Sequence, residues 1–373
     1  MGGLAPQLRA PNGPAANAAA LAPFALGSKE FRRRLFQIPY ASGAIGAQQK
    51  VEKAGWLAET IFDFQGTATV TTAGTAGTPA LLNLVQNYSL NFNSGYPYRN
   101  VDGESMALID EVQFAGAYDP VFASPQYQNY SPTSLTAQPI GFIVHDRVAQ
   151  NLGPNVDKYL LAAHAMNGDL TLQLAFNTPA QTVANTEVAA IAGVFDIHGI
   201  FMLDPDYSRF TLPDTSEIQQ WIMDTGSVNG TLAVGVNSVN LTPIQGPKYL
   251  GIFFKVMLGG VGNIPDPQGA APATQNVQIV LNTGLPLIDV TGRILHNDNT
   301  RLYGRKLPAG WYAFDFLSDT GILNLSSPFQ RKVLATALLS QLQLNVNINA
   351  GVAIGAGNGL KILKRLAYPV GRA

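Results

Sequence analysis

Strict period-two alternation constrains this 373-residue chain more than any other feature. Tyr88, Leu90 and Phe92 alternate with Asn87, Ser89 and Asn91. Leu170, Leu172, Leu174 and Phe176 alternate with Thr171, Gln173 and Ala175, and Leu342, Leu344, Val346 and Ile348 with Gln343, Asn345 and Asn347. Successive side chains of a strand point to opposite faces, so each segment buries one face and hydrates the other, as strands of antiparallel sandwiches do. The same reasoning predicts strands over Glu59–Thr71, Ala107–Phe114, Val188–Leu203, Thr231–Leu241, Tyr249–Leu258, Asn276–Asn282, Leu285–Val290 and Trp311–Leu317. Turn residues such as Asn93-Ser94-Gly95 and Pro308-Ala309-Gly310 separate them. Helices are predicted only at Phe31–Phe36, Asp157–Met166, Asp214–Met223 and Pro328–Leu338. The chain reads as all-β with a few short helices.

Its length suits two cores of modest size. An internal echo supports the division: LTLQLAFNTP at Leu170–Pro179 and LQLNVNINAG at Leu342–Gly351 each end an alternating strand in an asparagine and a turn, about 172 positions apart. A looser pair, Leu84–Phe92 with Leu250–Leu258, has a similar offset. The expected organisation is an N-terminal arm with a short basic helix over 1–54, a first sandwich over 55–184, a second over 185–352 and a basic C-terminal arm over 353–373.

Charged residues make up only 13% of the chain, against roughly 25% in an average soluble domain. Amides and hydroxyls must hydrate much of the surface, and few like charges hold copies apart. With no cysteine, disulfides, cysteine-based zinc sites and thiol nucleophiles are excluded. His145, His164, His198 and His296 are scattered without metal-ligand spacing. Ser105 lies in Gly103-Glu104-Ser105-Met106-Ala107, but a nucleophile elbow needs strand, turn and helix, and the serine precedes a predicted strand. Gly355-Ala356-Gly357-Asn358-Gly359 is followed by Lys361 without the Ser or Thr a phosphate loop requires. No catalytic residue, metal or cofactor is expected.

The net charge of −1 conceals +4 over residues 1–34 and +4 over 356–373, leaving −9 between them. Arg32, Arg33 and Arg34 beside Phe31 and Phe36 form the one dense basic–aromatic cluster, suited to phosphate, an acidic neighbour or a membrane surface. Lys361, Lys364 and Arg365, spaced i, i+3, i+4 in the C-terminal segment, are the second candidate for such a contact.

Three short segments carry a family resemblance: Asn83-Leu84-Val85-Gln86, Gly168-Asp169-Leu170-Thr171, and Leu307-Pro308-Ala309-Gly310-Trp311-Tyr312, the last preceded by Arg301, Arg305 and Lys306. With the order of elements from about residue 55 to 350, they make the chain resemble the double jelly-roll major capsid proteins of tailless, membrane-containing, tectivirus-like phages, the lineage that includes the adenovirus hexon. The resemblance implies two eight-stranded jelly rolls side by side, a homotrimer forming a pseudo-hexagonal capsomer, and a place in the virion after synthesis in the host cytoplasm. Its implied partners are neighbouring capsomers, minor capsid and penton proteins and an internal viral membrane, with no specific nucleic acid. Another viral structural component, such as a minor capsid or spike protein, is one competing class. A carbohydrate-binding or hydrolytic β-sandwich is another, since fold does not fix function; its hydrolytic form needs paired carboxylates, for which Glu104, Asp110 and Glu111 are the densest acidic group in the first half.

Overall fold

The computed structural model describes residues 24–71, 80–93, 96–113, 135–151, 157–158, 161, 163, 168–183, 188–203, 209–210, 213, 217–224, 232–241, 247–257, 274–282, 284–308, 310–316, 334–335, 339–350 and 359–369. The first unit is built of β1 (Lys29–Pro39), β2 (Gln49–Lys50), β3 (Trp56–Val70), β4 (Val85–Phe92), β5 (Tyr96–Val101), β6 (Leu135–Arg147), β7 (Leu170–Phe176) and β8 (Val188–Leu203). The second is built of β9 (Glu217–Met223), β10 (Gly235–Asn240), β11 (Lys248–Met257), β12 (Thr274–Leu281), β13 (Leu285–Thr291), β14 (Trp311–Asp315), β15 (Leu342–Ile348) and β16 (Gly359–Pro369). Helix α1 (Gly103–Gln113) lies between β5 and β6, and α2 (Gly292–Tyr303) lies between β13 and β14. Each helix thus follows the fifth strand of its unit.

Sheet order repeats with an offset of eight strands. The first unit pairs β1-β8-β3-β6 and β2-β7-β4-β5; the second pairs β9-β16-β11-β14 and β10-β15-β12-β13. Two four-stranded sheets interleaved in this order form a jelly roll. The echo between Leu170–Pro179 and Leu342–Gly351 therefore has a structural cause: β7 and β15 occupy the same place in the two rolls. The looser echo does not, because β4 and β11 occupy different places.

One sheet of each roll belongs to a single continuous sheet. Strands β5 and β9 pair in parallel, with Trp221 opposite Arg99 and Ile222 opposite Asn100. The first core is packed with aromatic rings: Phe64 lies 4.8 Å from Phe195 and 5.4 Å from Phe142 between ring centroids. It continues through α1 to Trp221, Phe253, Trp311 and Leu363 on the outer face of the β9-β16-β11-β14 sheet. The second core lies on the other side of that sheet, where Phe254 stacks on Tyr312 at 5.3 Å and packs against Leu344, Val346 and Ile362. A sheet covered on both faces explains why β14 and most of β16 are buried without alternation.

Five expectations are corrected here. Phe31–Phe36 is part of strand β1, antiparallel to β8, rather than a basic helix. A β-bulge between Arg34 and Phe36 shifts the side-chain parity, so Phe31, Leu35 and Phe36 all pack against the first core although their spacing fits no regular strand. Ala107–Phe114 falls largely in helix α1 rather than in a strand: the segment is buried nearly all round, which erases any sign of its period. Glu217–Met223, the greater part of the predicted helix Asp214–Met223, is β9. Residues 359–369 are an interior strand, flanked by β9 and β11, rather than a terminal arm, so the second roll extends past residue 352. The boundary near 184 moves likewise, because β8 lies between β1 and β3 of the first roll, and the rolls divide between Leu203 and Glu217. The predicted helices Asp157–Met166 and Pro328–Leu338 lie mostly outside the described residues; of them, Asp157–Lys158 and Leu334–Ala335 are short strands.

Candidate functional sites at the sheet edge and the unit junction

The two basic clusters singled out by sequence lie in different environments. Arg32, Arg33 and Arg34 sit on β1, an edge strand of its sheet, and their side chains are 50–67% exposed. Arg32 faces Glu30 at 3.5 Å, Arg33 faces Glu52 at 2.8 Å, and the Arg34 Nε donates to Asp196 at 2.8 Å. Such pairs each contribute about 0–1 kcal/mol. Charges on an open edge also discourage uncontrolled strand pairing. Beneath them Phe31 stacks on Phe201 at 5.4 Å, and Phe36 is half buried against the first core. The cluster is therefore a charged layer over an apolar footing, as the sequence suggests, built on a strand.

Lys361, Lys364 and Arg365 are buried, which corrects their assignment to an outward contact. On a strand their spacing distributes them over both faces rather than along one helical stripe. Lys361 reaches across the junction to Asp102 and, at 3.1 Å, to Glu104, both at the start of α1. Lys364 pairs with Asp224 at 2.9 Å. Arg365 lies 5.0 Å from the centre of the Trp221 ring and 3.7 Å from Asp315. These cations fasten the second roll together and to the first.

Helix α1 is the centre of that junction. Asp102 caps it by accepting from the Ser105 backbone N–H at 2.9 Å. Gly103 is needed where the helix begins, because a Cβ there would meet the Leu82 carbonyl oxygen at 1.8 Å. Glu104 accepts from Lys255 at 2.6 Å, Lys361 at 3.1 Å and the Trp311 indole at 3.2 Å, all from the second roll. Burial alone would raise its pKa, but the two lysines pull it down to about 2. At the other end of the helix Arg305, from the second roll, donates to the Glu111 carbonyl at 2.8 Å. The helix also closes the free edge of β6: Asp110 accepts from the His145 N–H at 2.9 Å, while the Gln113 amide accepts from Arg147 N–H at 2.9 Å and donates to its carbonyl at 2.6 Å. Covering an edge in this way prevents stray pairing.

Nearby, Arg99 is fully buried and binds Asp146 at 2.9 Å, and it donates to the carbonyls of Tyr98 and Gln219 at 2.9 and 3.0 Å. Asp146 also accepts from Tyr88 at 3.0 Å. Because Gln219 belongs to β9, this network spans the fused sheet where the rolls meet. Sequence reasoning passed over Arg99, a lone basic residue in an ordinary strand; only its partners in β6 and β9, distant in sequence, reveal it.

Ser105 does follow a strand, a turn and the start of a helix, contrary to its predicted context. Its hydroxyl is nevertheless fully buried and has no hydrogen-bond partner among the described residues, so it is not placed to attack a substrate. The described residues contain no group of three or more His, Asp or Glu side chains arranged to hold a metal ion. His145 pairs with Glu59 at 2.5 Å. Its burial lowers the imidazole pKa, yet the hydrogen bond to Glu59 and the charges of Asp110 and Glu59 outweigh this and raise it. His164 and residues 355–358 of the glycine run lie outside the described residues, and Gly359 opens β16.

No protein-family model and no curated protein sequence matches the chain. Solved structures do. The STIV MCP crystal structure superposes with a TM-score of 0.64 at 12% identity, covering 92% of this chain and 97% of that one. A PBCV-1 virus capsid chain gives a TM-score of 0.63 at 13% identity, covering 91% and 94%. The major capsid protein P2 from Bacteriophage PM2 gives 0.52 at 11% identity, covering 92% and 99%. At these identities the likeness establishes the fold, a double jelly roll over nearly the whole chain.

Proposed function

We propose that this chain is the major capsid protein of an icosahedral virus and acts by assembling with copies of itself rather than by catalysis. The observation that carries this reading is the tandem repeat of one eight-stranded roll, fused through a shared sheet in a single chain. Within the chain, one sheet of the second roll is already covered by the first. The sheets β1-β8-β3-β6 and β10-β15-β12-β13 remain at opposite ends of the pair to continue the series. Three copies in head-to-tail contact place six rolls in a closed, pseudo-hexagonal ring. The β10-β15-β12-β13 sheet favours close approach, since hydrogen-bonded amides such as Asn240 with Gln343 at 2.8 Å cover part of it in place of like charges.

In this reading Arg32, Arg33 and Arg34, with Phe31 and Phe36 as their footing, meet a neighbouring subunit or an internal viral membrane. Further partners are adjacent capsomers, minor capsid proteins and penton proteins, and the chain resides in the virion after synthesis in the host cytoplasm. The carbohydrate-hydrolysing alternative loses its acidic candidates: Glu104 is held by two lysines, and Asp110 and Glu111 are buried against the junction. Analytical ultracentrifugation of the purified chain tests the reading. A species of three times the 39.7 kDa chain mass is expected. A monomer that persists at high protein concentration would contradict it.

A further inference from the structure

Helices α1 and α2 occupy the same place in the two rolls, but they end differently. The last turn of α2 carries Arg301, which complements the negative end of the helix dipole, and the helix closes on Gly304 in the left-handed conformation. The last turn of α1 carries Asp110 and Glu111 and no basic residue. Two carboxylates at this end oppose the dipole, and both are buried, at 5% and 3% exposure. The Glu111 Oε2 has no hydrogen-bond partner among the described residues. Asp110 nevertheless helps to seal the edge of β6, and the Glu111 carbonyl receives the Arg305 guanidinium from the second roll. The end of α1 that locks the rolls together is thus built from groups that tolerate burial best when neutral.

We propose that α1 is a proton-dependent latch: protonation of Asp110 and Glu111 keeps it seated on β6 and against the second roll, and their ionisation loosens it. The charged surroundings set the balance. Asp110 faces Glu59 of β3, His145 of β6 and Arg305, while Glu111 faces Arg305 and Asp110. Arg147 and Asp146 of β6, Arg99 of β5 and Arg32 of β1 form the next ring, with Arg99 committed to Asp146 and Arg32 acting on His145. Burial raises both carboxyls to about 7; it is partly opposed at Asp110 by the His145 backbone N–H and the charges of His145 and Arg305, and at Glu111 by Arg305. An unseated helix returns them to ordinary carboxylate values near 4. The contribution of these two carboxyls to closure is therefore complete below about pH 4, weakens as pH rises to about 7, and changes no further above that.

Hydrogen–deuterium exchange of the purified full chain, expressed as protection factors to remove the intrinsic pH dependence, tests this. Protection of the amides of 106–113 and 143–147 is expected to fall between pH 5 and pH 7, approaching tenfold per pH unit for each carboxyl, and to level off by pH 8. Asp110→Asn with Glu111→Gln should hold protection high and flat across that range. Arg305→Gln, which keeps both acids, should move the fall to higher pH. Flat protection in the parent chain would overturn the latch, and so would an unchanged fall in the double variant, which would assign the response to His145. The latch belongs to the single chain, so its failure leaves the assembly reading untouched.

Discussion

Among single residues, burial separates charges that hold the fold from charges available for contact. Arg99 satisfies Asp146 and three carbonyls in a fully buried site, so Arg99→Ala strands a buried carboxylate and is expected to cost about 3–5 kcal/mol in chemical denaturation. Replacing Arg32, Arg33 and Arg34 together by Gln removes only exposed pairs. The folded chain should keep its thermal midpoint, while the yield of assembled particles, counted by electron microscopy, should drop. Unchanged assembly would make these arginines an ordinary solvated edge. Glu104 yields a pH test of its own. Its pKa is depressed to about 2, so the stability it contributes is present above pH 4.5 and is lost as pH falls from there through 2, on the order of 3 kcal/mol in total. Glu104→Gln should flatten that acid limb in thermal unfolding; a limb of unchanged depth would place the acid sensitivity elsewhere.

The elements most legible in the sequence are those with one wet face. Strand β8 matches its predicted range, Val188–Leu203, and β7 and β15 stand out by alternation alone. Among elements covered on both sides the sequence is a poorer guide: β11 and β14 match their expected strands, but α1 and β16 do not, because burial on every side removes the periodicity that distinguishes strand from helix. Helix α1 looked like a strand for this reason. Strand β16 looked like a basic arm because Lys361, Lys364 and Arg365 suggest solvent, whereas each has an acidic partner supplied from elsewhere in the chain. Strand β1 was hidden by its bulge. The position of β16 between β9 and β11 has a direct consequence: deleting residues 359–369 should abolish cooperative unfolding and near-ultraviolet circular dichroism of the second roll. A truncated chain with parent-like spectra would make the segment an arm after all. Gly103→Ala should act at the other side of the junction, costing about 1–3 kcal/mol through its clash with the Leu82 carbonyl.

At the scale of the whole molecule, the repeat is structural far more than textual. Only the echo between β7 and β15 survives in sequence, whereas sheet order and helix placement repeat throughout. Packing demands alternation and turns rather than particular residues, so two rolls can diverge while keeping one topology. The junction is where they differ most. Helix α1 and the parallel pairing of β5 with β9 hold the second roll to the first, and the pair becomes one block with a distinct sheet on either side of the fused one. Blocks of that kind close into rings when their ends are complementary. Electron microscopy of the purified chain tests this claim most directly. Particles with a pseudo-hexagonal outline, three copies around a central axis, are expected; a uniform field of single two-lobed particles at the concentrations used for assembly would contradict it.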